Sequence, residues 1–98
     1  MSEILMKTVC EICDVDEASL KTRVRSKGLS DARKTYYYLA YKLYGKSHEE
    51  LAKVFGRDRT AVLHALKCCG DLIKFDKLFR NRVELAERVV IQRMSNNN

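Results

Sequence analysis

The sequence predicts an all-α domain of five to six helices, and three observations predict it. Proline is absent and glycine occurs four times, so the residues that break helices are scarce. Lys, Leu, Glu, Ala and Arg, all good helix formers, are abundant. Apolar residues recur with a 3.6-residue period in successive blocks separated by capping residues. At 98 residues there is room for one core. Residues 1–98 are therefore read as a single domain, with a tail over 94–98 expected to be disordered. A composition of 46% hydrophobic and 33% charged residues is that of a folded globular protein.

The elements follow in order. Ser2 is placed to cap a first helix running to about Cys13, with Ile4, Leu5, Thr8, Val9 and Ile12 at helical spacing. Asp14 to Glu17 reads as a turn and cap, followed by a short helical piece around Ala18 to Arg23. A basic loop, Val24 to Leu29, is broken by Gly28, and Ser30 is the expected N-cap of a long helix to about Tyr44. The inward stripe of that helix is Ala32, Tyr36, Leu39, Ala40 and Leu43. Three consecutive rings on a helix point in three directions. Tyr36 is assigned to the core, while Tyr37, Tyr41 and Tyr44 share another face, suited either to packing on a neighbouring helix or to stacking on bases.

Gly45 ends the long helix, and Ser47-His48-Glu49-Glu50 is a capping box for a short helix closing at Phe55-Gly56. Asp58 caps the next helix, which starts at Arg59 and buries Val62, Ala65, Leu66 and Cys69. That helix either stops at Gly70 or runs on to about Phe75, since one glycine costs only about 1 kcal/mol. A last amphipathic helix, about Asp76 to Gln92, turns Phe79, Val83, Ala86 and Val90 inward.

Charge gives the first functional direction. The formal net charge is +6 and the pI about 9.3. Lys21, Arg23, Arg25, Lys27, Arg33 and Lys34 fall in one 14-residue stretch whose single acid is Asp31. Such a cluster fits a phosphate-rich partner, and the plainer alternative is a solvated surface. Cys10 and Cys13 form a Cys-x-x-Cys pair, but adjacent Cys68-Cys69 does not supply the second pair of a structural zinc site. The thiols are read as reduced core residues of a cytosolic protein, with no metal and no cofactor expected. No signal-peptide pattern and no apolar run of membrane-spanning length is present, so membrane association is not expected. No Cys or His stands in a nucleophile-plus-base arrangement, which leaves nothing to support an enzyme.

Two helices joined by a short turn with glycine, read as three residues, form the pattern of a helix-turn-helix over roughly Ser47 to Cys69. Leu51, Ala52 and Phe55 face Val62, Ala65 and Leu66, and Gly56 supplies the left-handed turn residue. Arg59, Thr60, Leu63, His64 and Lys67 are left facing outward on the second helix, whose first side chains would reach base edges in a major groove.

The run Gly56-Arg57-Asp58-Arg59-Thr60-Ala61-Val62-Leu63-His64-Ala65 resembles the signature Gly-Arg-Asp-His-Thr-Thr-Val-Leu-His-Ala of the C-terminal DNA-binding domain of bacterial DnaA replication initiators. The resemblance extends over about residues 4–92 and implies a Trp-repressor-like helix-turn-helix fold that binds double-stranded DNA. Matched position by position, it implies that Arg25 enters the minor groove from the basic loop beside Lys27. It places Arg57, Asp58, Arg59, Thr60 and Ala61 in the major-groove signature, and Ser47 and His48 on the DNA backbone. Arg59 stands for the family's His and Ala61 for a Thr; Tyr41 stands for a lysine, with Lys42 adjacent; Asp31 stands for a loop arginine, and the turn is one residue shorter. An arginine at position 59 is suited to reading guanine, and Lys42 and Lys67 complete the expected DNA-binding set.

The family's ATP-binding module is not represented, since no Gly-x-x-x-x-Gly-Lys-Ser/Thr loop occurs in these residues. The initial Met favours a stand-alone protein over an excised fragment. The expectation is thus a cytoplasmic, nucleoid-associated regulator of replication or transcription, with duplex DNA as partner and other replication proteins as further candidates. The alternatives are a homodimeric repressor joined through the exposed tyrosines or the C-terminal helix, and a protein-interaction adaptor using the basic face on an acidic partner.

Overall fold

The computed structural model describes residues 2–96 and, of Ser2, the backbone alone, so the expected Ser2 cap lies outside the described side chains. Those residues form six helices and no strand: α1 (Ser2–Cys13), α2 (Glu17–Leu20), α3 (Lys27–Tyr44), α4 (His48–Val54), α5 (Arg59–Phe75) and α6 (Lys77–Asn96). The fold is all-α, and its organising element is α3, which packs against each of the other five helices. One continuous core runs from Leu5 and Val9 of α1 through Leu20, Leu39, Leu51 and Val62 to Phe79, Val83, Ala86 and Val90 of α6.

A helix covered on every side buries more than one stripe. Ala32, Tyr36, Leu39 and Ala40 are buried as expected and Leu43 is half-buried, but Asp31, Arg33, Thr35 and Tyr37 are buried too. Tyr37 is 3% exposed and packs against a neighbouring element, one of the two uses expected of the face it shares with Tyr41 and Tyr44. Tyr36 and Tyr37 clamp the Phe55 ring at centroid distances of 5.3 and 5.4 Å, contacts of about 0.5–1.5 kcal/mol beyond burial. Tyr44 is half-buried, and only Tyr41 is exposed, at 51%. Tyr37 is therefore not part of any exposed tyrosine face.

Local signals placed most helix ends. Asp14 takes a left-handed φ of 56° after α1, a conformation Asp tolerates better than most side chains. Gly45 (φ 63°) closes α3 and Gly56 (φ 65°) follows α4, the latter with Arg57 N–H donating back to the Ala52 carbonyl at 2.9 Å. The capping box is complete: Ser47 Oγ accepts from Glu50 N–H at 3.1 Å, and Glu50 Oε1 accepts from Ser47 N–H at 3.0 Å. Asp58 Oδ1 accepts from Ala61 N–H at 2.8 Å and starts α5, which passes through Gly70 to Phe75. Asp76 Oδ1 likewise accepts from Phe79 N–H at 3.0 Å.

Four boundaries differ from expectation. The helix α2 ends at Leu20 rather than about Arg23, so the basic loop is residues 21–26 rather than 24–29. The helix α3 starts at Lys27, because Ser26 rather than Ser30 is its cap, with Ser26 Oγ accepting from Leu29 N–H at 3.2 Å. Carrying Gly28 in the first turn costs about 1 kcal/mol. An added turn bond (Ser30 N–H to Ser26 carbonyl, 2.9 Å) and the Lys27–Asp31 ion pair at 2.9 Å offset it. The connection between α4 and α5 is four residues, 55–58, rather than three. Finally, α6 includes Met94 to Asn96, which the sequence predicts to be part of a disordered tail, while residues 97 and 98 lie outside the described residues.

The cysteines are free thiols on α1 and α5, helices that do not touch each other. Burial pushes the Cys13 thiol up to about 11 and the Cys69 thiol up to about 12. Among the described residues no group of three or more His, Cys, Asp or Glu is placed to hold a metal ion. No described helix is long and apolar enough to cross a membrane.

Candidate nucleic-acid interface

The basic stretch does not fold into six equivalent surface cations. Its loop, residues 21–26, has no apolar anchor of its own, and Val24 is 57% exposed. It is held instead by Arg33, 8% exposed, reaching back from α3. Arg33 Nε donates to the Leu20 carbonyl (2.8 Å), Nη1 to Val24 (2.9 Å), and Nη2 to Ser19 (3.2 Å) and Thr22 (2.9 Å). A planar fork of five N–H donors suits this arrangement of carbonyls. Burial first, and the neighbouring Arg57 second, pull the Arg33 guanidinium below its ordinary pKa. Arg33 is therefore a structural cation that shapes the loop from within.

Arg57 approaches the same loop from the other side. From the turn after Gly56, its Nη1 donates to the Phe55 carbonyl at 2.9 Å and its Nη2 to the Thr22 carbonyl at 2.6 Å. Thr22 thus accepts from both guanidinium groups. Beyond this junction, a cleft of about 350 Å³ runs between the loop, α3 and α5. Arg25 lines it from the loop, Arg33 and Lys34 from α3, Arg57 from the turn, and Ala61, His64 and Cys68 from α5. No carboxylate lines it. Four permanent cations around a solvent-open cleft repel one another, and a bound anion relieves that repulsion.

The residues expected to contact DNA are not all brought together. Arg25 is exposed on the loop beside the cleft, and Arg57 and Ala61 line it. Arg59 and Thr60 are exposed on the first turn of α5, and Lys67 is exposed further along it. Asp58 also lies there, with its carboxylate engaged in the α5 cap. Lys27 stands on α3, not in the loop, and pairs with Asp31, itself a buried α3 residue rather than a loop one. Ser47 is engaged in the capping box, while His48 stacks on Tyr41 (centroids 5.5 Å apart, 12° between planes) at the start of α4. Lys42 turns away from the cleft to α6, where its Nζ lies 3.0 Å from Glu87 Oε1.

Reading the sequence missed the α3 wall of this cleft. Ser30, Arg33, Lys34 and Tyr37 all line it. Their spacing is i, i+3, i+4, i+7, so they share one helix face. That polar-to-aromatic face was legible as a pattern, but it was outcompeted by the apolar stripe next to it. His64 also lines the cleft, with its Nε2 3.5 Å from Cys68 Sγ.

The sequence matches the family described as bacterial DnaA protein helix-turn-helix over residues 2–68. It is similar to the chromosomal replication initiator proteins DnaA of Sulfurimonas denitrificans (31% identical over 83 residues) and Campylobacter fetus (34% over 83). Each of these alignments covers 84% of this chain and 19% of the relative. The DnaA protein of Ehrlichia ruminantium strain Gardel is 32% identical over 89 residues, 90% of this chain and 19% of the relative. The chain spans about a fifth of the length of the curated relatives it matches.

Proposed function

The chain belongs to the bacterial DnaA helix-turn-helix family, and from that premise we propose that it binds double-stranded DNA sequence-specifically. In this reading the first turn of α5 enters the major groove, and the 21–26 loop carries Arg25 into the adjacent minor groove. The observation that carries it is the acid-free cleft joining those two elements, lined by Arg25, Arg33, Lys34 and Arg57. A duplex backbone separates its two grooves by a phosphate strand, and a cationic cleft between two reading elements is complementary to such a strand.

The roles follow from position. Exposed Arg59 and Thr60 face base edges, where an arginine reads guanine O6 and N7 bidentately. Lys34, His64 and Lys67 flank the strand and hold phosphates, which position without specifying. His48, held by its stack on Tyr41, meets the backbone at the start of α4. Lys42 drops out of the contact set because it is paired across to α6. The 98 residues carry no Gly-x-x-x-x-Gly-Lys-Ser/Thr loop, so this reading gives them site recognition without ATP turnover. The similarity to chromosomal replication initiator proteins supports a role for that recognition in replication initiation or its control, and the reading puts the chain on the nucleoid in the cytoplasm.

Selection of bound sites from a random duplex library tests this reading. The expected result is an enriched motif, bound with an affinity that falls steeply as salt rises, log K decreasing by about 0.9 per phosphate neutralised for each unit of log salt. Arg25→Ala is expected to lower affinity for the motif while leaving thermal stability unchanged, since its side chain is exposed on the loop. Binding without any enriched motif, or no duplex binding at all, refutes the proposal and favours an acidic protein partner for the basic face.

A further inference from the structure

We infer that Arg57 is a positioning residue that braces the basic loop against the helix-turn-helix turn, so that Arg25 and α5 meet a duplex as one preorganised unit. The inference rests on the DNA-binding reading above. It reassigns Arg57, which the family signature implies to be a major-groove residue. The geometry is specific: one guanidinium bridges the Phe55 carbonyl of the turn and the Thr22 carbonyl of the loop, at 2.9 and 2.6 Å. Thr22 and Arg57 are 35 residues apart, and among the described residues theirs is the hydrogen bond that joins loop and turn.

Each end of the brace is fixed independently. On the turn side, Phe55 is 1% exposed and held between Tyr36 and Tyr37. The Arg57 backbone is fixed by its N–H bond to Ala52 across Gly56. On the loop side, Arg33 holds Ser19, Leu20, Thr22 and Val24 to α3. Arg33 and the Ser26 cap tie the loop to α3; Arg57 adds a direct hydrogen bond from the α4–α5 turn to the loop. Arg25 lies three residues beyond Thr22, so the brace directs where the Arg25 side chain leaves the protein. Ordering a loop before binding removes an entropic cost that would otherwise fall on association.

A double-mutant cycle combined with proteolysis tests it. In free protein, well below its melting temperature, Arg57→Ala is expected to speed trypsin cleavage after Lys21, Arg23 and Arg25 several-fold. Arg57→Lys, which keeps the charge but not the two-carbonyl fork, is expected to behave like Arg57→Ala. On the selected duplex, Arg25→Ala in the parent lowers affinity roughly tenfold or more. In the Arg57→Ala background the same step shrinks to about twofold, because a loop without its brace no longer presents Arg25. Additive effects within about twofold, or full affinity retained by Arg57→Lys, make Arg57 an ordinary phosphate contact and overturn the inference. If no duplex is bound, the functional reading fails separately and the cleavage pattern decides the brace: unchanged loop cleavage in both variants refutes it.

Discussion

Arg33→Lys separates a structural cation from a phosphate-binding one, because it changes geometry and preserves charge. Arg33 makes four hydrogen bonds to main-chain carbonyls, of which the one to Leu20 is buried and the other three are part-buried. A charge-assisted bond is worth about 1.5–3 kcal/mol, and a buried carbonyl left unsatisfied costs about 1–3 kcal/mol. Lysine has no fork, so its ammonium can keep one or two of the four partners, and the part-buried carbonyls recover water. The net loss is therefore about 3 kcal/mol, which for a chain of this size lowers Tm by roughly 12–24 °C. Thermal unfolding followed by circular dichroism without DNA measures it. The control is Lys34→Ala on the same face; Lys34 Nζ donates to Ser30 Oγ at 2.7 Å, so its removal costs about 1 kcal/mol or less. A Tm drop for Arg33→Lys no larger than the control's refutes the clamp and returns Arg33 to the solvated surface.

Other consequences are as direct. Gly56→Val is expected to cost about 1–3 kcal/mol through the backbone alone, since φ is +65° and nothing lies within 4 Å of an added Cβ. Gly56→Asn is expected to recover much of that loss, and equal melting temperatures for the two would refute a strained turn. Arg59→His is expected to change the preferred base at one or two positions of the selected motif, with discrimination altered by about 1–3 kcal/mol. Lys67→Ala is expected to weaken all duplexes alike, and an unchanged motif for Arg59→His would make Arg59 a phosphate contact. Alkylation at pH 8 is expected to reach half-exposed Cys68 well before buried Cys69 and before Cys13, whose thiols burial holds near 12 and 11. The reaction of Cys69 and Cys13 is then expected to rise with pH as thiolate forms, and equal rates for all thiols at pH 8 would contradict the packing.

The sequence by itself determined the helices, most of their ends and the helix-turn-helix, because those depend on interactions within about four residues. The Ser47–Glu50 capping box, the Asp58 cap, the positive φ of Gly56 and the inward set Phe79, Val83, Ala86 and Val90 of α6 are all local in this sense. The proposed roles of Arg25 and the first turn of α5 came instead from the family resemblance, not from local interactions. The start of α3 escaped because Ser26 and Ser30 are both competent caps, and the choice depends on what the extra turn bonds to. Only the tertiary structure decided which cations face solvent. A helix in contact with five others has no wholly free side, so Tyr37 and Arg33 became interior residues although nothing in their immediate sequence distinguishes them from Tyr41 and Lys34. The brace and the clamp join residues 35 and 13 apart, Arg57 to Thr22 and Arg33 to Leu20, and no periodicity encodes such pairs: their carbonyl partners are identical in every residue type, and only packing brings the right ones within reach.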